Sequence, residues 1–266
     1  MSYFGRAFVF DDIPCETYDL MMYDIGNTDD DISIGGDMEI QDETVGDNWR
    51  PYFYGAKHGG KLEFDLIFGV NEWRIDHDKF LDRWELAEVS TWLVGHNTYK
   101  WLYIDQPDAN LYGYRCMLSN LQITRYGSVP WAIKVHVTCD SPYAYLEAKH
   151  ITYAVNGEKT FEVYNESSLN IPYYPIVHFN RTSGTAFSVK NEQDNNRGPE
   201  LTNIPGSVTD ITIDNEHCVI TNDQSMNLYA GFNFQFLRLV RGYNHITITG
   251  NGTVTIECEY PINVGG

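Results

Sequence analysis

Short runs in which apolar and polar residues alternate are the feature that most constrains the fold of this chain. Three such runs are KLEFDLIFGV (61–70), WAIKVHVTCD (131–140) and NHITITGNGTVTIECE (244–259). A period of two puts successive side chains on opposite faces of an extended strand. The alternation therefore predicts strands with one buried face, carried for example by Ile133, Val135 and Val137.

The composition agrees with a strand-rich protein, and one segment departs from it. The 266 residues include 19 Tyr and 13 Phe, which favour strands. The exception is HDKFLDRWELAEVSTWLV (77–94), where Phe80, Trp84 and Ala87 share one helical face and Gly95 follows as a stop signal. We therefore expect a mainly β protein with one α-helix.

The phrase DSPYAYLEAKH (140–150) predicts a junction between two domains. Its Ser-Pro breaks a strand, and new strand patterns begin at Ile151. We assign residues 1–145 to a β-rich N-terminal domain that holds the helix. Residues 146–266 carry closely spaced short strands with turn signals, which is typical of a β-sandwich.

Two turns are predicted inside this second domain. Gly250-Asn251-Gly252 does not fit a dinucleotide fingerprint, because a strand pattern follows it where a helix is needed. A three-residue hairpin loop pairs Ile248 with Val254 and Ile246 with Ile256, so that all four share a face.

The segment TDITIDNEHCVIT (209–221) predicts a second hairpin. A two-residue loop at Asn215-Glu216 would pair Ile213 with Cys218 and Ile211 with Ile220.

The charge excludes some partners. The net charge is −19, and clusters of basic residues that could neutralise phosphates or bind a membrane surface are absent from the sequence. Acidity of this kind most often serves solubility. A sharper hypothesis is an acidic channel that repels DNA and lets it pass, because residues 1–145 hold 24 acidic and 11 basic residues.

Signals for catalysis, cofactors or metals are weak. Common hydrolase and phosphate-binding motifs do not occur, and the acidic run 29–31 lacks the ligand spacing of a calcium loop. The five widely spaced cysteines are expected to be reduced. We predict no catalytic, cofactor-binding or metal-binding residues, although an unmarked pair of carboxylates would leave a hydrolase open.

Aromatic residues are the candidates for a binding surface. They could stack on sugars, although packing in a core or an interface is the favoured interpretation. The candidates are Trp49, Tyr52, Tyr54, Tyr173 and Tyr174. The N-terminus lacks the pattern of a signal peptide and no apolar run is long enough to span a membrane, so neither secretion nor membrane insertion is expected.

The order of these elements resembles the distal tail proteins of siphoviruses, the bacteriophages with long non-contractile tails. In the first half, the similarity is carried by YFGRAFVFDDIPCETYDLMMYDIG, KLEFDLIFGV and KWLYIDQPDANLYGYRCMLSNLQITRYG. In the second half it is carried by YNESSLNIPYYPIVHF, PGSVTDITIDNEHCVI and FLRLVRGYNHITITGNGTVTIECEY. The acidic stretch 24–47 and the loop 191–200 have no counterpart in that pattern.

The resemblance implies a structural virion protein without enzymatic activity. Such proteins form a homohexameric hub ring at the tail tip, with DNA only in transit through its channel. The N-terminal belt domains build the ring, and the C-terminal domains are galectin-like sandwiches. Expected neighbours are tail tube, tape measure and tail-associated or receptor-binding proteins. The alternative is a carbohydrate-binding protein that recognises bacterial surface glycans through its C-terminal sandwich.

Overall fold

The computed structural model describes residues 6–25, 38–47, 49–58, 60–71, 81–105, 112–126 and 128–263. These residues divide into two compact units, 6–145 with Asn263, and 146–262. The structure is mainly β, as predicted, with antiparallel sheets and one α-helix among the described residues.

The first unit is built on one antiparallel sheet and a two-stranded ribbon. Its strands are β1 (Phe8–Phe10), β2 (Ile13–Pro14), β3 (Leu20–Ile25), β4 (Met38–Glu43), β5 (Tyr52–His58), β6 (Glu63–Val70), β7 (Lys100–Ile104), β8 (Tyr112–Tyr126), β9 (Val129–Cys139) and β10 (Ala144–Leu146). The sheet has the order β2-β1-β7-β8-β9-β6-β3, and β10 also pairs with β8. Strands β4 and β5 pair with each other to form the ribbon.

The alternating runs of this unit form strands as predicted. In β9, the side chains of Ile133, Val135 and Val137 are fully buried. In β6, Leu66 and Phe68 are fully buried as well. One face of the sheet therefore forms the apolar core of the unit.

The helix α1 (Arg83–Leu93) is shorter than the predicted 77–94 and buries a different face. Asp82 is its N-cap and forms a capping box with Glu85, which fixes the start of the helix. Val89, Trp92 and Leu93 are buried. The predicted face was wrong for the two of its residues that the structure describes, Trp84 and Ala87, which are exposed; Phe80 lies outside the described residues.

There is a physical reason why the wrong face of the helix was predicted. The segment 77–94 contains three aromatic residues, Phe80, Trp84 and Trp92, and periodicity alone does not say which of them the core accepts. Trp92 is accepted because its ring stacks on Phe8 and its Nε1 donates to the Phe10 carbonyl at 3.1 Å. This indole therefore has both an apolar partner and a hydrogen-bond acceptor, which buried tryptophans need.

The second unit has one sheet and a long irregular segment. Its strands are β11 (Lys149–Asn165), β12 (Ile176–Asn191), β13 (Glu200–Leu201), β14 (Asp210–Asp214), β15 (Val219–Asn222), β16 (Gly242–Cys258) and β17 (Pro261–Ile262). The sheet order is β11-β16-β12-β14-β15, with β13 beside β12. Short 3-10 turns occur at Glu192–Asp194 and Tyr229–Gly231 in this unit, and another occurs at Cys15–Tyr18 in the first unit.

Two long strands of this unit double back. Tyr153 and Phe161 lie eight residues apart in β11, yet their ring centroids are 3.9 Å apart. Phe179 and Phe187 in β12 are stacked at the same separation. An extended strand would hold such residues about 26 Å apart. Each strand therefore bends sharply in its middle. Because β16 pairs with β11 without a register shift, it follows the same bend.

The predicted hairpin at Gly250-Asn251-Gly252 was wrong. The residues lie inside β16, and Ile246 pairs with Phe161 and Ile256 with Ile151 of β11. The alternation could not reveal this, because a three-residue hairpin and an uninterrupted strand put the same alternate residues on the buried face. That face is buried as expected, and Ile246, Ile248, Val254 and Ile256 are fully covered.

The glycines of the bend allow close approach. A Cβ atom on Gly252 would lie 2.1 Å from the Asn180 carbonyl oxygen. One on Gly250 would lie 3.2 Å from the Phe187 ring and 3.3 Å from the Phe179 ring. The stacked phenylalanines thus cover a backbone that has no side chain of its own at this point.

The second hairpin exists with a different register. Strands β14 and β15 pair Ile213 with Ile220, which leaves a four-residue loop, 215–218, in place of the predicted two-residue loop. The loop is longer because Asn215 is fully buried, where its Oδ1 accepts from the Leu237 N–H at 2.7 Å. Cys218 adopts a left-handed φ of 58°.

Candidate interaction surfaces

The name ribbon is used for β4, β5 and the described residues 44–47 and 49–51 of the connection between them, a largely exposed part of the first unit. Its strands pair antiparallel from Met38↔His58 to Glu43↔Tyr52, with a register shift between Gln41 and Asp42. Every described side chain from residue 39 to residue 54 is exposed. A two-stranded ribbon without a covered face is only marginally stable by itself.

Large apolar side chains crowd this exposed ribbon. Those with at least half of their surface exposed are Ile40, Val45, Trp49, Tyr52, Phe53 and Tyr54. Trp49 is 83% exposed, and the Arg50 guanidinium lies 4.6 Å from the centroid of its ring. An exposed patch of this kind marks an interaction site more often than a random surface does.

The ribbon is also acidic. Glu39, Asp42, Glu43 and Asp47 are exposed on it, and the Tyr54 hydroxyl donates to Glu43 Oε2 at 3.3 Å. The acidic run 29–31 lies outside the described residues. Among the described residues, no cluster of His, Cys, Asp and Glu has the arrangement of a metal site.

Three of the five aromatic candidates, Trp49, Tyr52 and Tyr54, are brought together on this ribbon. The sequence analysis missed Phe53, which is 67% exposed. The signal was present, because YFY interrupts the alternation with three successive aromatic residues, and a two-stranded ribbon that is exposed on both faces tolerates them.

Tyr173 and Tyr174 lie in the second unit and are half-buried. The Tyr173 hydroxyl accepts from the Glu259 N–H at 2.7 Å, and burial raises the pKa of this phenol well above its usual range. Tyr174 is a polar neighbour of the Arg238 guanidinium, which donates to both carboxylate oxygens of Asp194. Both tyrosines thus have polar partners within the unit.

Other exposed aromatic residues mark the second unit. Tyr164 and Tyr243 are directly paired across β11 and β16, with ring centroids 4.8 Å apart, and are 49% and 62% exposed. Phe234 is 67% exposed and has a left-handed φ of 57°. Asn233 fixes the backbone beside it, since its Nδ2 donates to the Gly198 carbonyl at 3.0 Å.

An open groove of about 500 Å³ runs beside α1 in the first unit. It is lined by Asp11, Ile13, Tyr18, Trp84, Ala87, Glu88, Thr91, Trp92 and His96. Trp84, which is 78% exposed, belongs to this lining. The polar side chains of the lining include Glu88, Thr91 and His96, and the His96 Nε2 atom lies 2.7 Å from the Trp92 carbonyl oxygen.

The N-terminal part of the chain, residues 4–141, matches the family described as phage tail protein N-terminal domain. Residues 143–258 match the phage tail C-terminal domain. The chain belongs to the phage tail proteins. Among curated proteins, none matches its sequence. None of the described helices is long and apolar enough to cross a membrane.

The fold of this phage tail protein is similar to that of a solved distal tail protein. The Dit protein of phage SPP1, described as a paradigm of the hub adsorption apparatus in phages that infect Gram-positive bacteria, aligns with a TM-score of 0.61 and 10% identity. The alignment covers 96% of this chain and 98% of that one. The resemblance to distal tail proteins that the sequence predicted is therefore confirmed.

A chain of the phage p2 baseplate in its activated conformation with strontium aligns with a TM-score of 0.46 and 9% identity. That alignment covers 90% of each chain.

Proposed function

We propose that this phage tail protein is the hub of the tail tip, where copies of it form a hexameric ring that joins the tail tube to the receptor-binding apparatus and leaves a channel for DNA. It acts as a structural protein, without catalytic activity, in the virion. The fold shared with the SPP1 hub protein supports this role. Residues 1–145 form the ring, and residues 146–266 face outward as a galectin-like domain.

The single observation that carries the proposal is the exposed aromatic ribbon. Trp49, Tyr52, Phe53 and Tyr54 expose more than half of their surface. Leaving such side chains in water forgoes about 1.5–3 kcal/mol for each large side chain that could be buried. In the proposed ring, a neighbouring copy covers them and supplies the face that a two-stranded ribbon lacks.

Charge accounts for the passage of DNA. The ring domain carries more than twice as many acidic as basic residues. A channel wall with exposed carboxylates, such as Glu39 and Asp42 on the ribbon, repels phosphates and does not retain the genome. The other partners of the ring are tail tube, tape measure and tail-associated proteins.

Electron microscopy of the purified protein tests the ring. We expect six-fold particles with a central hole, and native mass spectrometry should give the mass of six copies. The double variant Trp49→Ser/Phe53→Ser should shift the particles to monomer. The matched control is Trp84→Ser, because Trp84 is nearly as exposed as Trp49 but lies outside the ribbon. Rings that survive the ribbon variant, or monomers alone at micromolar concentration, would contradict the proposal.

A carbohydrate-binding role for the second unit is the other candidate. The observation that favours it is the exposed pair Tyr164 and Tyr243, whose rings could stack on a sugar. A glycan array with the full chain and with Tyr243→Ala tests it. Binding that disappears in the variant would support the role, and an array without binding would remove it.

A further inference from the structure

Cys116 and Cys139 face each other in the middle of the first sheet. They are register partners on the neighbouring antiparallel strands β8 and β9. Both side chains are fully buried, and all five cysteines of the chain are free thiols in the structure. The other cysteines lie elsewhere: Cys15 in a 3-10 turn, and Cys218 and Cys258 in the second unit.

The backbone hydrogen bonds show which kind of pair this is. The Asp140 N–H donates to the Arg115 carbonyl at 2.9 Å, so the hydrogen-bonded pair is the one adjacent to the cysteines. The Cys139 N–H points the other way and donates to the Leu62 carbonyl, also at 2.9 Å. The cysteines therefore occupy a non-hydrogen-bonded position, where opposing Cα atoms are about 4.5 Å apart and side chains are closest.

This geometry meets the requirement of a disulfide. Disulfides join Cα atoms that are about 4.4–6.8 Å apart, with Cβ atoms directed at one another. Both cysteines point into the apolar core, on one face of the sheet. The pair can close without a change in strand register.

We propose that Cys116 and Cys139 are a latent cross-strand disulfide, open in a reducing cytoplasm and closed when the protein meets an oxidising medium. The oxidant is a low-molecular-weight disulfide such as oxidised glutathione. One thiolate attacks it, displaces one glutathione thiolate and forms a mixed disulfide. The second cysteine then displaces the other glutathione, so two cysteine thiols are oxidised and two glutathione thiols are produced.

Burial explains why Cys116 and Cys139 stay reduced in the folded protein. It raises the pKa of Cys139 to about 12, and burial together with the facing Cys139 raises the pKa of Cys116 still further. The reactive thiolate is therefore scarce while the core is intact. Oxidation then requires a transient opening of the sheet or takes place during folding. The closed bond would link two central strands and limit the unfolded chain.

The test is refolding of the full chain from denaturant in a glutathione redox buffer, where both thiols start exposed. We expect intact mass to fall by the two hydrogens of one disulfide, and peptide mapping to join Cys116 to Cys139. All six tryptophans lie in residues 1–145, so tryptophan fluorescence follows this unit alone. Its thermal midpoint should rise by about 5 °C on oxidation and return on reduction.

Matched variants separate this bond from general oxidation. Cys139→Ala should lose both the cross-link and the rise of the midpoint, whereas Cys258→Ala, which removes another fully buried thiol, should keep both. The proposal is overturned if refolded wild-type protein carries only glutathione adducts or other pairings. It is also overturned if the Cys116–Cys139 bond lowers the thermal midpoint.

Discussion

The ribbon β4–β5 and the bent strands β11 and β16 are both antiparallel pairs, but they are stabilised in opposite ways. In the ribbon, every described side chain from residue 39 to residue 54 is exposed. In the bent pair, β16 is covered on one face by the core and has strands on both sides. Backbone pairing alone therefore does not explain the stability of the ribbon or of the bent pair. The bent pair is completed within its own unit, whereas the ribbon needs another surface to complete it.

The largest effect should come from removing the aromatic stack inside the bend. Phe187 is fully buried and stacks on Phe179 over Gly250. Phe187→Ala should lower the free energy of unfolding of the second unit by about 3–5 kcal/mol, because it leaves a cavity over bare backbone. Urea denaturation followed by far-UV circular dichroism measures the loss. Phe234→Ala, at an exposed position, is the control and should change little.

A slightly smaller effect is expected from adding one carbon atom at the bend. Gly252→Ala places a Cβ 2.1 Å from a backbone oxygen that cannot move aside easily. We expect a loss of about 2–3 kcal/mol in the same urea experiment. Gly206→Ala is the matched change, because nothing lies within 4 Å of its new Cβ. Equal stability of the two variants would show that the bend does not depend on close approach.

These glycines show the limit of what the sequence predicts. The alternation of apolar and polar residues correctly predicted strands in both units and the buried face of β16, because every second residue of a strand lies on the same face. It could not predict which strand pairs with β16. The partner, β11, begins about 90 residues earlier, and its pairing follows from packing between distant segments, such as Phe161 against Ile246. The same limit explains the wrong helix face and the register of the β14–β15 hairpin, which a buried Asn215 sets.

The aromatic candidates for a binding surface could be predicted from the sequence, but their burial could not, because it also depends on distant segments. The five aromatic candidates were named for their residue type, with packing in a core or an interface as the favoured interpretation, and the sequence did not separate Trp49, Tyr52 and Tyr54 from the other two. The half-buried positions of Tyr173 and Tyr174 could not be foreseen, since their hydroxyl groups find partners in Glu259 and Arg238, both remote in sequence. The choice between a core tyrosine and a surface tyrosine depends on those partners.

The first unit has a buried charge that should make its stability depend on acid. Burial alone would raise the pKa of Asp65, but hydrogen bonds from Lys134 at 2.7 Å and His136 at 2.8 Å outweigh it, and the pKa lies below its usual 3.8. A lowered carboxyl pKa stabilises the folded state above the unfolded pKa and loses this contribution as the pH falls through the folded value.

Asp65→Asn should therefore cost about 1–3 kcal/mol at neutral pH and should flatten the decline of stability below pH 3.8. Tryptophan fluorescence during urea denaturation at several pH values measures both. Glu63→Gln is the control, because Glu63 is more exposed and lies 3.7 Å from His136. A decline as steep in Asp65→Asn as in the wild type would remove the assigned role of this carboxyl group.

The smallest effect is expected for the ribbon in the single chain. Trp49→Ser should change the stability of the monomer by less than about 0.5 kcal/mol, because the indole is 83% exposed. Tryptophan fluorescence at concentrations low enough to give monomer measures it. A large loss would mean that the ribbon is completed within its own chain, and the contrast with the bent pair would disappear.

The bent pair also sets an order of events during synthesis. Lys149 pairs with Cys258, and Asn165 pairs with Gly242. The ribosome completes β11 long before it reaches β16. This edge strand of the second unit therefore has no hydrogen-bonding neighbour while most of the unit is synthesised. Pairing between segments so distant in sequence is slow. The second unit can close its sheet only after β16 has left the ribosome, and until then β11 is open to chaperones and to mispairing with other chains.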